Sequence, residues 1–483
     1  MIAVDRKAPE ALHRQIYDAC RAAIVDGRLS PGQRIPSTRV LASELGVSRF
    51  PVLNAYAQLL AEGYVESRVG AGTVVTSSLP EQHTSSAPAG RRLVAKREGL
   101  RPVARRSSSI PGPEKPPWQR GRGAFALGEV AVDQFPLHIW ANLVGRRSRK
   151  MDAQSLHYGD QMGSEILRET IAGYLRTARS LRCEAKQVMI VSGSQQAVEI
   201  SARVLLDPES SVWIEEPGYR LARHTFTLTG CQLVPVPVDR EGLDVAAGIR
   251  KCRKARAAFV TPSHQFPLGV TMSASRRFQL LDWAQNTGSW IIEDDYDSEY
   301  RYESMPIACL QGLDTDARVI YVGTLSKVLF PSLRLGYVVM PPDLIEQFIT
   351  VRRAMDIGPP GFSQEVLADF INEGHFARHI RRMRVLYRER RSALVESIRA
   401  ELGSMVEIMG GEAGMHLTIV LPEGSNDLEI ARRAARQKLW LWPLSPFYLG
   451  EQPRPGFILG FGGTPVAEIP QAVSKLRNLL AAR

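Results

Sequence analysis

The chain has 483 residues, too many for one ordinary core, and its 44% hydrophobic content fits two or three packed domains. The formal charge of +11 raises the odds of an anionic partner only modestly. Five scattered cysteines (Cys20, Cys183, Cys231, Cys252, Cys309) with no CxxC pair argue against a disulfide framework and a zinc site, and no metal is expected. Charges in MIAVDRKAPE and the lack of an 18-residue apolar run leave no signal peptide or membrane span, so a cytoplasmic protein is expected.

Leu12, Ile16, Cys20 and Ile24 recur every four residues and predict a first helix that stops at Asp26-Gly27. Ser37 can cap a second helix with Val40, Leu41 and Leu45 inward. Gly46 makes the turn, and Ser48 caps a third helix with Val52, Tyr56, Leu59 and Leu60 inward. Arg49, Phe50, Leu53, Asn54 and Gln58 are left on the opposite face. Pro51 is tolerated only in a first turn, which supports Ser48 as the start. The following YVESRVGAGTVVT reads as two strands around Gly70-Ala71-Gly72, the shape of a β-wing.

Residues 9–76 resemble the GntR-type winged-helix family, whose pattern runs through GQRIPSTRVLASELGVSRFPVLNAYAQLLAEGYVESRVGAGTVV. The resemblance implies that Arg39 and Arg49 contact duplex DNA and that Ser37 and Ser48 bond phosphates. Arg68 and the wing, with Gly70 and Gly72, would enter the minor groove. Pro51 stands where the family usually has Thr, so a phosphate bond from that hydroxyl is lost.

Residues 77–122, rich in Pro, Ser, Gly and Arg, show no periodicity and read as a linker between a domain over 1–76 and another over 123–483. The formal charge divides as +2, +7 and +2 over these three segments. A fully flexible chain of that length spans roughly 35 to 40 Å, enough to let the N-terminal domain dock on a partner subunit. Its arginines fit a solvated tether and contact with DNA phosphates equally well.

Beyond Gly123, VMIVSG, SVWIEEP, AAFVTPS, SWIIEDD and RVIYVGT alternate with helical segments, which predicts an α/β domain with a largely parallel sheet. From about residue 356 a long charged helical stretch, then MHLTIVL and FILGFGG, predict a smaller α+β subdomain. Lys327 follows a buried strand, at the edge where α/β folds place ligands. Singly, Tyr219 could be a core aromatic, Asp294 a strand cap, Arg334 an ion-pair partner and His264 a loop histidine.

Jointly and in order, GSQQ, EEPGY, TPSHQFPLG, EDDYDSEYRY, GTLSK and RLGY resemble fold-type I pyridoxal-phosphate enzymes of the aspartate aminotransferase superfamily. The resemblance implies that Lys327 forms a Schiff base with pyridoxal 5'-phosphate and that Asp294 pairs with the pyridine nitrogen. Tyr296 would bond the ring hydroxyl and Tyr219 would stack on the ring. Ser194, Gln195, Thr324, Ser326 and Arg334 would cradle the phosphate. Tyr158 resembles a tyrosine that reaches the phosphate across a dimer interface, and His264 stands where aminotransferases usually have Asn. The arginine that usually binds a substrate carboxylate is missing from GFILGFGG, with Arg454 the nearest. An amine, a sulfonate or the cofactor itself therefore remain open as ligands.

The whole chain resembles the MocR-type regulators of bacteria, a GntR winged helix fused to an aminotransferase-like domain and forming head-to-tail homodimers. The implied function is transcriptional regulation, with an amine, an amino acid or a vitamin B6 form sensed through Lys327. An active aminotransferase with an accessory DNA-binding domain is the alternative.

Overall fold

The computed structural model describes residues 4–68, 72–77, 103–112, 114–302, 308–450 and 453–481. It divides into two compact units, Met1–Pro102 and Val103–Arg483. Among the described residues no helix is long and apolar enough to cross a membrane.

In the first unit, α1 (Leu12–Val25) buries Ile16, Tyr17, Cys20, Ala23 and Ile24. α2 (Thr38–Glu44) is capped by Ser37, whose hydroxyl accepts from the Val40 N–H at 3.3 Å. Gly46, at φ +63°, turns the chain into α3 (Arg49–Ala61). Two sequence expectations are corrected: Val40 and Leu60 do not face inward but are about half exposed. Leu41 and Ala42 are buried in α2, and Val52, Ala55, Tyr56 and Leu59 in α3. At roughly 100° per residue each set fits within about 100° of arc, and Val40 and Leu60 fall outside it. The wing is an antiparallel pair, β1 (Val65–Arg68) and β2 (Gly72–Val75), with Val65 opposite Val75. Gly72 opens β2 at φ +81°, and Gly70 lies outside the described residues.

The second unit is built on an eight-stranded sheet. Its strands are β3 (Val188–Val191), β4 (Ser211–Glu216), β5 (Gln232–Asp239), β6 (Gly242–Leu243), β7 (Ala257–Val260), β8 (Trp290–Asp295), β9 (Val319–Thr324) and β10 (Gly336–Val339). They run in the order β3-β10-β9-β8-β7-β4-β5-β6. The sheet is parallel from β9 through β8, β7 and β4 to β5, and β10 is antiparallel to both its neighbours. β3, β7, β8 and β9 are buried along their whole length, which explains the apolar runs VMIV, AAFV and VIYV, whereas β8 passes from the buried run WII to the buried carboxylates Glu293, Asp294 and Asp295.

The C-terminal subdomain pairs the helix His375–Glu401 with an antiparallel sheet, β11 (Glu407–Met409), β12 (His416–Val420), β13 (Trp442–Pro443) and β14 (Gly456–Gly460), in the order β11-β12-β14-β13. Its core also takes in Trp118, Phe125 and Val130 from far upstream. Trp440 Nε1 donates to the Arg122 carbonyl at 2.7 Å, and a Cβ on Gly121 would lie 1.9 Å from the Trp440 ring. The latter part of the segment read as a linker, residues 103–122, thus has structure of its own in the larger unit, with a short helix Arg105–Ser108 and a turn Pro117–Gln119. Residues 78–102 lie outside the described residues. One buried tryptophan, with the large apolar area it removes from water, anchors a stretch whose composition otherwise reads as tether.

Candidate functional site

The parallel strands β4, β7, β8 and β9 end at one edge of the sheet, and the residues at and just after their ends cluster there. Asp294, near the end of β8, is buried, and its Oδ1 has no hydrogen-bond partner. Burial, then Asp295, Glu215 and Asp297, push its carboxyl up to about 8. Two residues on, the Tyr296 hydroxyl donates to the His264 carbonyl at 2.8 Å and lies 3.1 Å from His264 Nδ1. His264 Nδ1 is also 3.0 Å from Asp297 Oδ1, which leaves buried Nε2 without a partner. His416 on β12 lies against it, ring centroids 4.5 Å apart. Burial and His264 hold His416 down to about 3, so it is neutral and its Nε2 donates to the Pro267 carbonyl at 3.1 Å.

Lys327 follows β9, and its Nζ donates to the Gly128 carbonyl at 3.2 Å. Burial lowers its pKa, opposed by Asp297 and Glu129, which favours the neutral amine that a nucleophile requires. Gly128 sits at φ +78°, and a Cβ there would lie 2.7 Å from that amine.

At the helix start, Gly193, at φ +110°, precedes the helix Ser194–Leu205, and a Cβ on it would come within 3.1 Å of the Arg334 guanidinium. Arg334 itself holds a left-handed backbone, φ +50°, and is exposed. Gln195 Nε2 donates to the Leu221 carbonyl at 2.9 Å, while its buried Oε1 is unpartnered. Thr324 Oγ1 accepts from the Ser326 N–H at 3.2 Å, and the Ser326 hydroxyl is another buried orphan. Tyr219 packs edge-on to Phe266, centroids 5.6 Å apart. Burial and the nearby Asp294 raise its phenol, and Arg334 opposes them.

Four expected site residues therefore carry unsatisfied buried atoms: Gln195, His264, Asp294 and Ser326. Leaving each bare costs roughly 1 to 3 kcal/mol, and a ligand with a cationic ring nitrogen, a ring hydroxyl and a phosphate complements such atoms. The residues fit pyridoxal phosphate. Tyr158 stands apart, 87% exposed and without a hydrogen bond to any described residue.

Asp297, His416 and Gly128 escaped the sequence reading. Their donor or backbone atoms reach Lys327 and His264 only through the fold, and His416 looked like an ordinary member of a strand. No arginine lies on β14, where Phe457, Ile458 and Leu459 are all buried. Arg454 is held at the sheet edge by Glu407, 2.7 Å away, and by the Met409 sulfur.

In the first unit, Ser37, Arg39, Ser48, Arg49 and Arg68 are all exposed. Arg49 Nε donates to Thr38 Oγ1 at 3.1 Å, and Arg68 pairs with Glu66 on its own strand. Ser48 occupies the N-cap position, but its hydroxyl makes no capping bond and remains available to another acceptor or donor.

Residues 12–75 match the bacterial regulatory proteins of the gntR family, and residues 128–476 match aminotransferase class I and II. The chain is 39% identical, over 100% of its length and 96% of the other, to the probable rhizopine catabolism regulatory protein MocR of Rhizobium meliloti. It is 30% identical to the HTH-type pyridoxine biosynthesis transcriptional regulator PdxR of Corynebacterium glutamicum, covering 98% of each chain. Among solved structures it is similar to the α-aminoadipate aminotransferase LysN of Thermus thermophilus complexed with N-(5'-phosphopyridoxyl)-L-leucine: TM-score 0.68, 28% identity, 74% of this chain and 91% of that one.

Proposed function

The chain belongs to the MocR-type regulators, a gntR-family winged helix followed by an aminotransferase class I and II domain, and from that premise we propose that Lys327 is the point where a small molecule is sensed. The protein is a pyridoxal-phosphate-dependent, DNA-binding transcriptional regulator. The observation that carries the proposal is the buried, unpartnered Asp294 Oδ1 at the end of β8, next to the strand β9 that Lys327 follows, a lysine whose burial favours its neutral form.

Pyridoxal phosphate supplies an aldehyde that captures amines and a ring that accepts electron density once its nitrogen is protonated. Asp294, ionised beside a cationic ring nitrogen, would keep that proton in place. Tyr296 and His264 would orient the ring hydroxyl side, with Asp297 fixing the His264 ring. Tyr219 would cover the ring face. The N–H groups of Ser194 and Gln195, with Thr324, Ser326 and Arg334, would hold the phosphate at the helix start. Lys327 would hold the aldehyde carbon through its Nζ, and in the free chain that Nζ donates to the Gly128 carbonyl.

The chain would act as a head-to-tail homodimer, each exposed Tyr158 completing the partner's phosphate site. An effector regulates only if it binds one arrangement better than the other, and a tenfold change in DNA affinity needs about 1.4 kcal/mol of such coupling. The absence of arginine from β14, with Arg454 engaged by Glu407, favours an effector not held by its carboxylate: an amine, a sulfonate or a vitamin B6 form.

The purified chain should show the visible absorbance of lysine-bound pyridoxal phosphate, and Lys327→Ala should abolish it; a surviving band would remove Lys327 from its role. The alternative, an active aminotransferase, has the same donor set in its favour. Multiple-turnover transamination at ordinary enzyme rates without salt-sensitive duplex binding would establish it instead.

A further inference from the structure

The recognition helix carries an apolar stripe where DNA-binding helices commonly carry polar groups. Phe50 is 70% exposed and Leu53, one turn on, 42% exposed, although the unit has a well-filled core beside them. Asn54 and Ala57 continue the same exposed face at the i+4 and i+7 spacing, and Asn54 makes no hydrogen bond to a described residue. Phe50 is the second residue of α3, in the first turn, which is the part of a recognition helix that meets base edges. The exposed Arg39 and Arg49 flank it with positive charge, so the face suits the polyanionic duplex and not an apolar protein surface.

Burying an exposed aromatic ring in a major groove is favourable only against an apolar base group, and the groove offers one: the C5-methyl of thymine. Asn54 beside it has the amide donor and acceptor that match adenine N7 and N6, the other half of an A·T pair. Pro51 lies in the same first turn at the cost of no hydrogen bond, because the N–H it lacks is unpaired at a helix start. It removes a polar side chain from this surface.

Resting on the reading that the winged helix binds duplex DNA, we propose that Phe50 and Leu53 select the operator by seating thymine methyl groups, with Asn54 reading adenine on the same face. The half-site contacted by the start of α3 is then rich in A·T pairs, and its discrimination is apolar. Each seated methyl removes about one CH₂ equivalent from water, which corresponds to about fourfold in affinity.

The full chain with pyridoxal phosphate bound is used to select duplexes from a random-sequence pool, and each thymine of the selected site is then replaced singly by deoxyuridine. At one or more positions the loss of the methyl should weaken wild-type binding about fourfold. The same replacement should be neutral for Phe50→Ala or Leu53→Ala, whose exposed side chains leave the fold unchanged. Neutral replacement at every thymine in the wild type, or the same loss in wild type and both variants, overturns the inference while leaving DNA binding intact. Enrichment of no duplex at all overturns the DNA-binding reading itself, and this inference with it.

Discussion

The winged helix and the cofactor pocket use the same kinds of polar residue under opposite conditions. Around α3 the arginines and serines stand in solvent, where water satisfies whatever the protein does not. Around Lys327 one buried atom each of Gln195 (Oε1), His264 (Nε2), Asp294 (Oδ1) and Ser326 (Oγ) has no partner. A surface built for a polyanion needs no internal compensation, whereas a pocket that retains uncompensated polar groups gives up stability until a ligand occupies it. Substitutions in the first region should therefore change binding without changing the fold, and those in the second should change stability according to whether the cofactor is bound.

The largest expected effect is complete. Lys327→Ala removes the visible cofactor band while leaving duplex binding by the free chain in place, and absorbance with a parallel binding assay separates the two. Next, Arg49→Ala should weaken binding to a selected duplex by roughly 1 to 3 kcal/mol, about five- to 150-fold, with an unchanged unfolding transition. Unchanged affinity would mean that α3 does not read the duplex.

A third effect lies in pH. In the folded, cofactor-free chain Asp294 is raised to about 8 and Glu215, also through burial, to about 7. Both groups hold their protons more tightly folded than unfolded. The stability they contribute is complete below the ordinary carboxylate range and is lost as pH rises through about 7 to 8. Urea unfolding of the cofactor-free chain should show lower stability at pH 8 than at pH 6, by on the order of 1 kcal/mol. Asp294→Asn should flatten part of that slope and leave the shares of Glu215 and Glu293, which burial also raises to about 7. Bound cofactor, which gives the ionised Asp294 carboxylate a cationic partner, should likewise flatten only the share of Asp294 in the wild type.

The smallest contrast lies within the winged helix. Ser37→Ala removes a formed cap and should destabilise α2 by about 1 kcal/mol, visible as faster amide exchange there. Ser48→Ala removes no capping bond and should leave exchange in α3 alone while weakening duplex binding.

The strands were legible because β3, β4, β7, β8 and β9 are apolar runs ending in polar residues, so Asp294, Thr324 and Lys327 stood out by position. Helix faces were less so: in α2 and α3 small alanines, not Val40 and Leu60, fill the narrow arc against the core. Composition hid the packing of residues 103–122, because one Trp118 counts for little in a Pro-, Ser- and Arg-rich stretch yet dominates its burial. Asp297 and His416, 119 residues apart, could not be paired by spacing. Only the placement of β12 beside the loop after β8 brings them to His264, together with Asp297 accepting from the Met415 N–H.

The central claim is that chemistry at Lys327 changes affinity at the winged helix. It is tested most directly by measuring the affinity of the full chain for a selected duplex in three states: cofactor-free, with pyridoxal phosphate, and with pyridoxal phosphate plus a panel of primary amines and amino sulfonates. The wild type should change affinity at least several-fold between two of these states, and Lys327→Ala should not. Equal wild-type affinity in all three, with the visible band confirming that the cofactor is bound, would contradict the account.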